Sequence, residues 1–142
     1  MDNQENQNKE IKIYTNKNIH ELAIDKPPLE DGQIYIYALL NFPSCNVKIG
    51  KTTNMQHRHQ SLQGSNGGGN RIVACYCSPA TWIQGMEKTC HNHYEWCRIQ
   101  GTEWFSGDKV KFEEVVEYID DLFHTNGYEI CNELRKQLIS EV

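Results

Sequence analysis

The stretch that decides the fold is residues 33–52, QIYIYALLNFPSCNVKIGKT. Its first part, Gln33 to Leu40, is rich in aromatic and β-branched residues with few polar interruptions, which favours a largely buried strand. Asn41 to Cys45 contains Pro43 and predicts a turn, and Val47 to Gly50 predicts a second strand that ends on glycine. Together these segments predict a β-hairpin.

The segments that follow the hairpin predict one more strand and several helices. Thr53 or Asn54 can cap a helix that runs to about Gln63, and the glycine-rich residues 64–70 (GSNGGGN) predict a loop. Arg71 to Cys77 alternates like a third strand, which predicts that Val73, Cys75 and Cys77 share one face. The remaining predicted segments are a helix over Thr81–Arg98 with Trp82, Met86, Cys90 and Cys97 on one side, a short extended or turn segment over Gly101–Phe105, an amphipathic helix over Phe112–Phe123, and a last helix carrying Ile130, Leu134 and Leu138.

The order of these segments predicts an α+β fold: a small three-stranded antiparallel sheet flanked by helices, with extra C-terminal helices. A short edge strand over Ile11–Tyr14 and a short helix over Ile19–Ile24, ended by Pro27 and Pro28, precede it. With 142 residues the chain has the length of a single domain. We divide it into a disordered tail (1–10), an N-terminal extension (11–31), a core (32–105) and a C-terminal helical extension (106–142).

The composition narrows the class of protein. The start of the chain lacks the basic and apolar pattern of a signal peptide, and no apolar run is long enough to span a bilayer, so we expect a cytoplasmic protein without a membrane partner. The six cysteines are then expected to be reduced thiols, several of them buried as small apolar groups.

The charge is distributed unevenly along the chain. The net charge is −5, but residues 32–86 contain no Asp or Glu, so all 19 acidic residues lie outside that stretch. Its cations are Lys48, Lys51, Arg58 and Arg71. A positive band on an acidic body favours a site that follows phosphates, although local clustering of charge also arises by chance in a core-rich stretch.

Four pieces of sequence, in order, point to one family. They are Tyr35 to Asn41, then Lys48-Ile49-Gly50, then Arg58 eight residues after Gly50, and Glu87 on a later helix. This arrangement resembles the GIY-YIG endonuclease superfamily, in particular the KIG-type branch seen in phage and in restriction or defence proteins. The resemblance covers about residues 32–105. It departs from the family pattern in lacking the first glycine and in having Lys48 in place of the second tyrosine.

The resemblance implies a metal-dependent endonuclease that hydrolyses phosphodiester bonds in DNA. It implies Glu87 as the ligand of Mg²⁺ or Mn²⁺, Tyr37 as general base or water-positioning group, and Arg58 as the clamp on the transition state. Lys48 would activate Tyr37, and Tyr35 and His91 complete the predicted catalytic set. We expect further DNA contacts from Lys51, His57, His59 and Arg71. The oligomeric state stays open, a homodimer included.

These residue types suit that chemistry on physical grounds. A carboxylate can hold Mg²⁺, which keeps several waters and polarises a phosphoryl oxygen. An arginine presents a planar fork of donors that fits phosphate oxygens. A tyrosine has a pKa near 10 and is a poor base alone, so a cation beside it, such as Lys48, is expected to lower that pKa.

Other interpretations compete with this one. Taken singly, a strand tyrosine usually packs and a helical arginine usually coats the surface. A DNA-binding module whose catalysis has lapsed and a protein-interaction module are therefore alternative functions. A structural zinc site is a further possibility, although its spacing lacks a CxxC pair. Its ligands would come from Cys75, Cys77, Cys90, His91, His93 and Cys97.

Overall fold

The computed structural model describes residues 9–22, 33–63, 69–130, 135–137 and 140. These residues form an α+β fold, as the sequence predicts. Its elements in chain order are β1 (Lys9–Glu10), a 3₁₀ helix (Ile19–Glu21), β2 (Gln33–Asn41), β3 (Val47–Thr52), α1 (Met55–Gln63), β4 (Asn70–Pro79), α2 (Ala80–His93), a second 3₁₀ helix (Glu95–Cys97), β5 (Trp104–Phe105), α3 (Phe112–Thr125) and β6 (Tyr128–Glu129).

The main sheet has the strand order β4-β2-β3-β5, and every neighbouring pair is antiparallel. The predicted hairpin is confirmed, with Tyr37 opposite Gly50 and Leu39 opposite Lys48. The prediction of three strands is wrong, because β5 adds a fourth strand beside β3. A strand of two residues is too short to show alternation, so the sequence indicates only an extended or turn segment there.

A bulge in β4 changes which side chains share a face. Ala38 pairs with Ala74 whereas Leu39 pairs with Ile72, so Val73 is an extra residue in the ladder. Val73 therefore packs on one face of the sheet and Cys75 on the other. The prediction that Val73, Cys75 and Cys77 share a face is wrong for this reason.

Each face of the sheet has its own apolar cluster. On the face we call the helix face, Ile36, Ala38 and Ile49 pack against buried residues of α2 and α3. On the opposite face, which we call the tyrosine face, Tyr35, Tyr37 and Leu39 pack with Tyr14, Ile19 and Leu22 from the N-terminal segment and with Met55 of α1. Tyr35 and Tyr37 thus share a face, as their spacing predicts.

The helices match their predicted positions with changes at the ends. Asn54 caps α1, since its Oδ1 accepts a hydrogen bond from the backbone N–H of His57 at 3.0 Å. The predicted Thr81–Arg98 helix ends at His93 and is followed by the 3₁₀ helix, whereas the predicted Phe112–Phe123 helix is confirmed as α3. No helix among the described residues is long and apolar enough to cross a bilayer.

The N-terminal segment differs from its prediction. β1 lies before the predicted Ile11–Tyr14 strand and pairs in parallel with β6, and Tyr14 forms an isolated bridge to Cys75. The helix predicted over Ile19–Ile24 is a 3₁₀ helix over Ile19–Glu21. Several predicted features lie wholly or mostly outside the described residues: the tail, the end of the Ile19–Ile24 helix with Pro27 and Pro28, most of the 64–70 loop, and most of the last helix.

Candidate functional site

Tyr37 lies at the centre of the tyrosine face, on β2, which is an inner strand of the four-stranded sheet. It is 2% exposed, and its ring lies directly over Gly50 of the neighbouring strand. A Cβ atom built on Gly50 would lie 2.5 Å from both Cζ and Oη of Tyr37. The glycine of the Lys48-Ile49-Gly50 motif is therefore required so that the tyrosine hydroxyl can occupy this position.

Three charged side chains from three different elements act on Tyr37. Burial raises the pKa of Tyr37 above its ordinary value, the positive charge of Arg58 on α1 opposes this rise, and the negative charges of Glu87 and Glu103 add to it. Glu87 comes from α2, and Glu103 from the loop before β5. The charges of an arginine and two carboxylates from distant parts of the sequence thus all act on one tyrosine.

Lys48 is paired with a carboxylate and is not among the charges that shift the pKa of Tyr37. Its Nζ lies 3.3 Å from Glu103 Oε2, so its charge is paired with a carboxylate. The pKa of Tyr37 is nevertheless raised, because burial outweighs the lowering effect of the one cation among the described residues that acts on it, Arg58. A protonated tyrosine can donate a hydrogen bond and position a water, but it cannot accept a proton as a base.

Glu87 and His91 lie one turn apart on α2 and have different partners. Glu87 Oε1 is 3.5 Å from Lys51 Nζ, and the Glu87 side chain is 19% exposed. His91 Nε2 is 3.0 Å from the carbonyl oxygen of Ile49, to which it can only donate. The ring of His91 also meets Phe105 edge-on. His91 therefore ties α2 to β3 and β5, which positions Glu87 above the hairpin.

Arg58 is the available cation of the site. It lies in the first turns of α1, where its backbone N–H donates to the carbonyl of Asn54 at 3.0 Å. Its residue is exposed, and no carboxylate in the described part of the chain pairs with its guanidinium. Its charge still acts on Tyr37. A free guanidinium beside a buried hydroxyl fits a phosphate oxygen.

Other residues predicted from the sequence lie apart from this group. Arg71 is at the turn end of the sheet, 5.5 Å from the ring of Phe42, opposite Leu40 and away from Tyr37. His57 is exposed on α1, whereas partial burial lowers the pKa of His59 and disfavours its charged form. Tyr35 is 2% exposed, burial raises its pKa to about 12, and its hydroxyl has no hydrogen-bond partner among the described residues.

Glu103 is the charged group near Tyr37 to which the sequence assigns no role. Its side chain is 70% exposed, and among the described residues its one ion-pair partner is Lys48. Nothing about its position in the sequence signals its place, since it precedes a two-residue strand whose pairing with β3 is not predicted. Only that pairing brings Glu103 beside the hairpin.

In the folded chain, the stretch of sequence without acidic residues does not form a surface without acidic residues. Two of the four cations in the acid-free stretch, Lys48 and Lys51, are paired with Glu103 and Glu87, which lie outside it. A stretch without acids in the sequence is therefore not a band without acids on the surface. Arg58 and Arg71 remain without a carboxylate partner among the described residues.

The candidate zinc ligands are divided between the two faces of the sheet. Cys75 and Cys77 belong to the cluster of the tyrosine face, whereas Cys90 and Cys97 are buried on the helix face. The described residues contain no group of three or more His, Cys, Asp or Glu side chains placed to hold a metal ion. The interpretation of these cysteines as one zinc site is wrong.

Comparison with known families gives one match. The model of the T5orf172 domain matches residues 32–122, which is more than half of the chain. The resemblance to the GIY-YIG superfamily is corrected by this finding, because the matching family is a distinct one and no GIY-YIG model matches. No curated protein and no solved structure matches the chain.

Proposed function

The chain belongs to the T5orf172 domain family, and we propose that it is a divalent-metal-dependent endonuclease that hydrolyses phosphodiester bonds in DNA. The family is often linked to nuclease-like or DNA-binding function. The observation that supports the proposal most strongly is the convergence of Arg58, Glu87 and Glu103 on the buried Tyr37. A phosphate clamp, carboxylates and a fixed hydroxyl are the groups that this hydrolysis requires.

The residues at the site fit Mg²⁺ or Mn²⁺ in one particular way. Mg²⁺ usually keeps several waters and binds through one or two carboxylates together with substrate phosphates. Glu87 is mostly buried, and the only partner of its carboxylate in the described residues is Lys51. Glu87 would hold the ion, and the bound metal would polarise the phosphoryl oxygen. In this proposal the remaining ligands of the ion come from water and from the DNA phosphate, not from further protein side chains.

The chain's own residues have separate tasks in the proposed reaction. Arg58 neutralises the charge that develops on the phosphoryl oxygens as water attacks the phosphorus and the ester oxygen leaves. Tyr37, held protonated by burial, orients the attacking water or a phosphate oxygen through its hydroxyl. Lys48 and Lys51 place positive charge beside the strand once their carboxylate partners engage the metal. Gly50 and His91 hold Tyr37 and Glu87 in position.

A plasmid-cleavage assay tests the proposal. Supercoiled DNA is incubated with the full chain in Mg²⁺, in Mn²⁺ and in EDTA, and conversion to nicked or linear DNA is measured. We expect cleavage with either metal and none in EDTA. Glu87→Gln should slow cleavage on the order of a hundredfold or more, the scale of losing a charge stabiliser. Glu117→Gln, at an exposed position on α3, is the matched control and should cut like the unaltered chain.

The outcomes separate the proposed enzyme from its two alternatives. Binding of DNA without any metal-dependent cleavage would favour the DNA-binding module with lapsed catalysis. Failure to bind DNA at all would favour the protein-interaction module. Full activity of Glu87→Gln would remove Glu87 from the site even if the chain proves to be a nuclease.

A further inference from the structure

A cavity of about 350 Å³ opens at the turn end of the tyrosine face. It lies between the turn that joins β2 to β3 and the loop that precedes β5. Its lining consists of amide and hydroxyl side chains with one aromatic and one aliphatic residue: Asn41, Ser44, Asn46, Thr102, Trp104 and Ile99. A volume of this size is typical of pockets that take small planar ligands.

The cavity is connected to the candidate site through the hairpin. Asn41 continues the alternation of Tyr37 and Leu39 along β2, so it belongs to the same face. Four residues of strand place it about 13 Å from Tyr37. Lys48 lies between them, opposite Leu39 on one side and Trp104 on the other. The cavity thus adjoins the site without including its reacting groups.

Hydrogen bonds fix the walls of the cavity before any ligand arrives. Asn41 Nδ2 donates to Asn70 Oδ1 at 2.8 Å, and Ser44 Oγ donates to Asn41 Oδ1 at 2.7 Å. The backbone N–H of Gly107 donates to Asn46 Oδ1 at 2.9 Å. Thr102 Oγ1 donates to the carbonyl of Ile99 and accepts from the N–H of Trp104. Most of the polar atoms are therefore occupied in holding the loops.

The side-chain amide of Asn46 has donors available for a ligand. Asn46 Nδ2 has no hydrogen-bond partner among the described residues, while Oδ1 of the same side chain is held by Gly107. Asn46 therefore offers N–H donors beside the half-buried ring of Trp104. An aromatic surface next to amide donors suits a flat ring that carries a carbonyl oxygen.

We propose that this cavity binds an unpaired nucleobase of DNA that offers an acceptor atom to Asn46, such as a ring carbonyl oxygen of thymine. The inference rests on the proposed function, since the base would belong to the DNA strand that crosses the tyrosine face. The distance from Tyr37 places it on a nucleotide that neighbours the cleaved bond. The base stacks on Trp104, its carbonyl accepts from Asn46 Nδ2, and Lys48 faces the intervening backbone. Adenine can also accept from Asn46 through a ring nitrogen, so the cavity is expected to distinguish a base from a bare sugar and not one base from another.

The test is an NMR titration of the ¹⁵N-labelled full chain with nucleosides, which carry no phosphate. We expect thymidine to shift the indole N–H of Trp104 and the side-chain amide of Asn46, and 2-deoxyribose, which has no base to stack or to accept a hydrogen bond, to shift neither. A short oligothymidylate should shift the same signals and also those around Arg58.

The matched variants isolate the Asn46 donors. Asn46→Asp keeps the acceptor for Gly107 but replaces the donors with an oxygen, so thymidine affinity should fall roughly tenfold. Gln100→Glu adds the same charge at an exposed position of the neighbouring loop, outside the lining, and should change affinity less than twofold. Unchanged affinity in Asn46→Asp would overturn the proposal, even if another part of the cavity binds the base.

The nucleoside and cleavage experiments can fail separately. Equal shifts from thymidine and 2-deoxyribose, or thymidine binding without oligothymidylate binding, would overturn the nucleobase subsite while plasmid cleavage stands on its own result. Selective thymidine and oligothymidylate binding together with no metal-dependent cleavage would overturn the nuclease and leave the subsite supported.

Discussion

The two faces of the central sheet use buried tyrosines in opposite ways. On the helix face, Tyr76 is fully buried and its hydroxyl donates to Asp120 Oδ1 at 2.5 Å, with Arg135 Nη1 3.1 Å from the other carboxylate oxygen. On the tyrosine face, the hydroxyl of Tyr37 lies over Gly50 and has no hydrogen-bond partner among the described residues. Both pKa values are raised by burial.

The difference shows how one sheet separates stability from function. A buried polar group that is paired contributes to a fixed core, and removing its partner leaves an unsatisfied group. A hydroxyl that is held in place without a partner, close to Arg58, Glu87 and Glu103, is available to a ligand. We therefore expect changes at Tyr76 and Asp120 to alter stability and changes at Tyr37 to alter cleavage.

The largest effect is expected from Gly50→Ala. The new Cβ would lie 2.5 Å from the Tyr37 ring, so the ring must move and the hydroxyl leaves its position. We expect cleavage to fall at least a hundredfold and stability to fall by about 1–3 kcal/mol, the usual cost of overpacking. Gly85→Ala is the control, because nothing lies within 4 Å of its Cβ, and it should be neutral or stabilising. Equal behaviour of the two variants would contradict the close packing.

The next largest effect is expected from Tyr37→Phe, with Tyr35→Phe on the same face as its control. Tyr37→Phe removes the hydroxyl of the site and should slow cleavage on the order of a hundredfold with little change in stability. Tyr35→Phe removes a buried hydroxyl that has no partner among the described residues, so activity and stability should stay near those of the unaltered chain. Single-turnover rates and thermal unfolding measure both. A larger loss of activity in Tyr35→Phe would mean that the site is centred on Tyr35, two residues earlier on β2, and not on Tyr37.

On the helix face the expected effect is a pH dependence of stability. Burial raises the pKa of Asp120 from 3.8 to about 6, while Tyr76, Arg135 and His124 oppose the rise and Asp121 adds to it. The folded state thus holds this proton more tightly than the unfolded state, so the free energy of unfolding falls as the pH rises from about 4 to 6. The fall is on the order of 2–3 kcal/mol at most. Urea unfolding of the unaltered chain and of Asp120→Asn measures it, and the variant should lack this part of the pH dependence. Cleavage by Asp120→Asn should stay within a few-fold of normal wherever the variant is folded.

The sequence predicts the longer elements of the two faces better than the short or irregular ones. The hairpin, the Asn54 cap and α3 carry long or well-placed patterns and are correctly predicted. β5 is too short to show a period, and the bulge at Val73 shifts the alternation without any glycine or proline to mark it. A local pattern cannot indicate either feature.

The candidate site shows the same limit. Tyr37, Arg58 and Glu87 are predicted from motif spacing, and in the folded chain the charges of Arg58 and Glu87 both act on Tyr37. The pairing of Lys48 with Glu103 and of Lys51 with Glu87 depends on contacts between segments distant in sequence. The raised pKa of Tyr37 likewise follows from burial, which a charge count along the chain does not include.

The smallest expected effect is a change in the salt dependence of DNA binding, which tests the ion pairs of Lys48 and Lys51. With Lys48 and Lys51 paired, Arg58 and Arg71 remain, so duplex binding should show a log–log salt slope of about −2. Glu87→Gln and Glu103→Gln each free one lysine and should each make the slope steeper by about one. Fluorescence anisotropy without divalent metal measures all three proteins. Identical slopes would mean that these lysines do not meet DNA.

The measurement that tests the central claim most directly is a double-mutant cycle between Tyr37 and Arg58. Single-turnover cleavage in Mg²⁺ is measured for the unaltered chain, Tyr37→Phe, Arg58→Ala and the double variant. If the two residues act on one phosphate, the account predicts that the double variant is hardly slower than the slower single variant. Losses that multiply in full would contradict the account, because they would show that Tyr37 and Arg58 act independently.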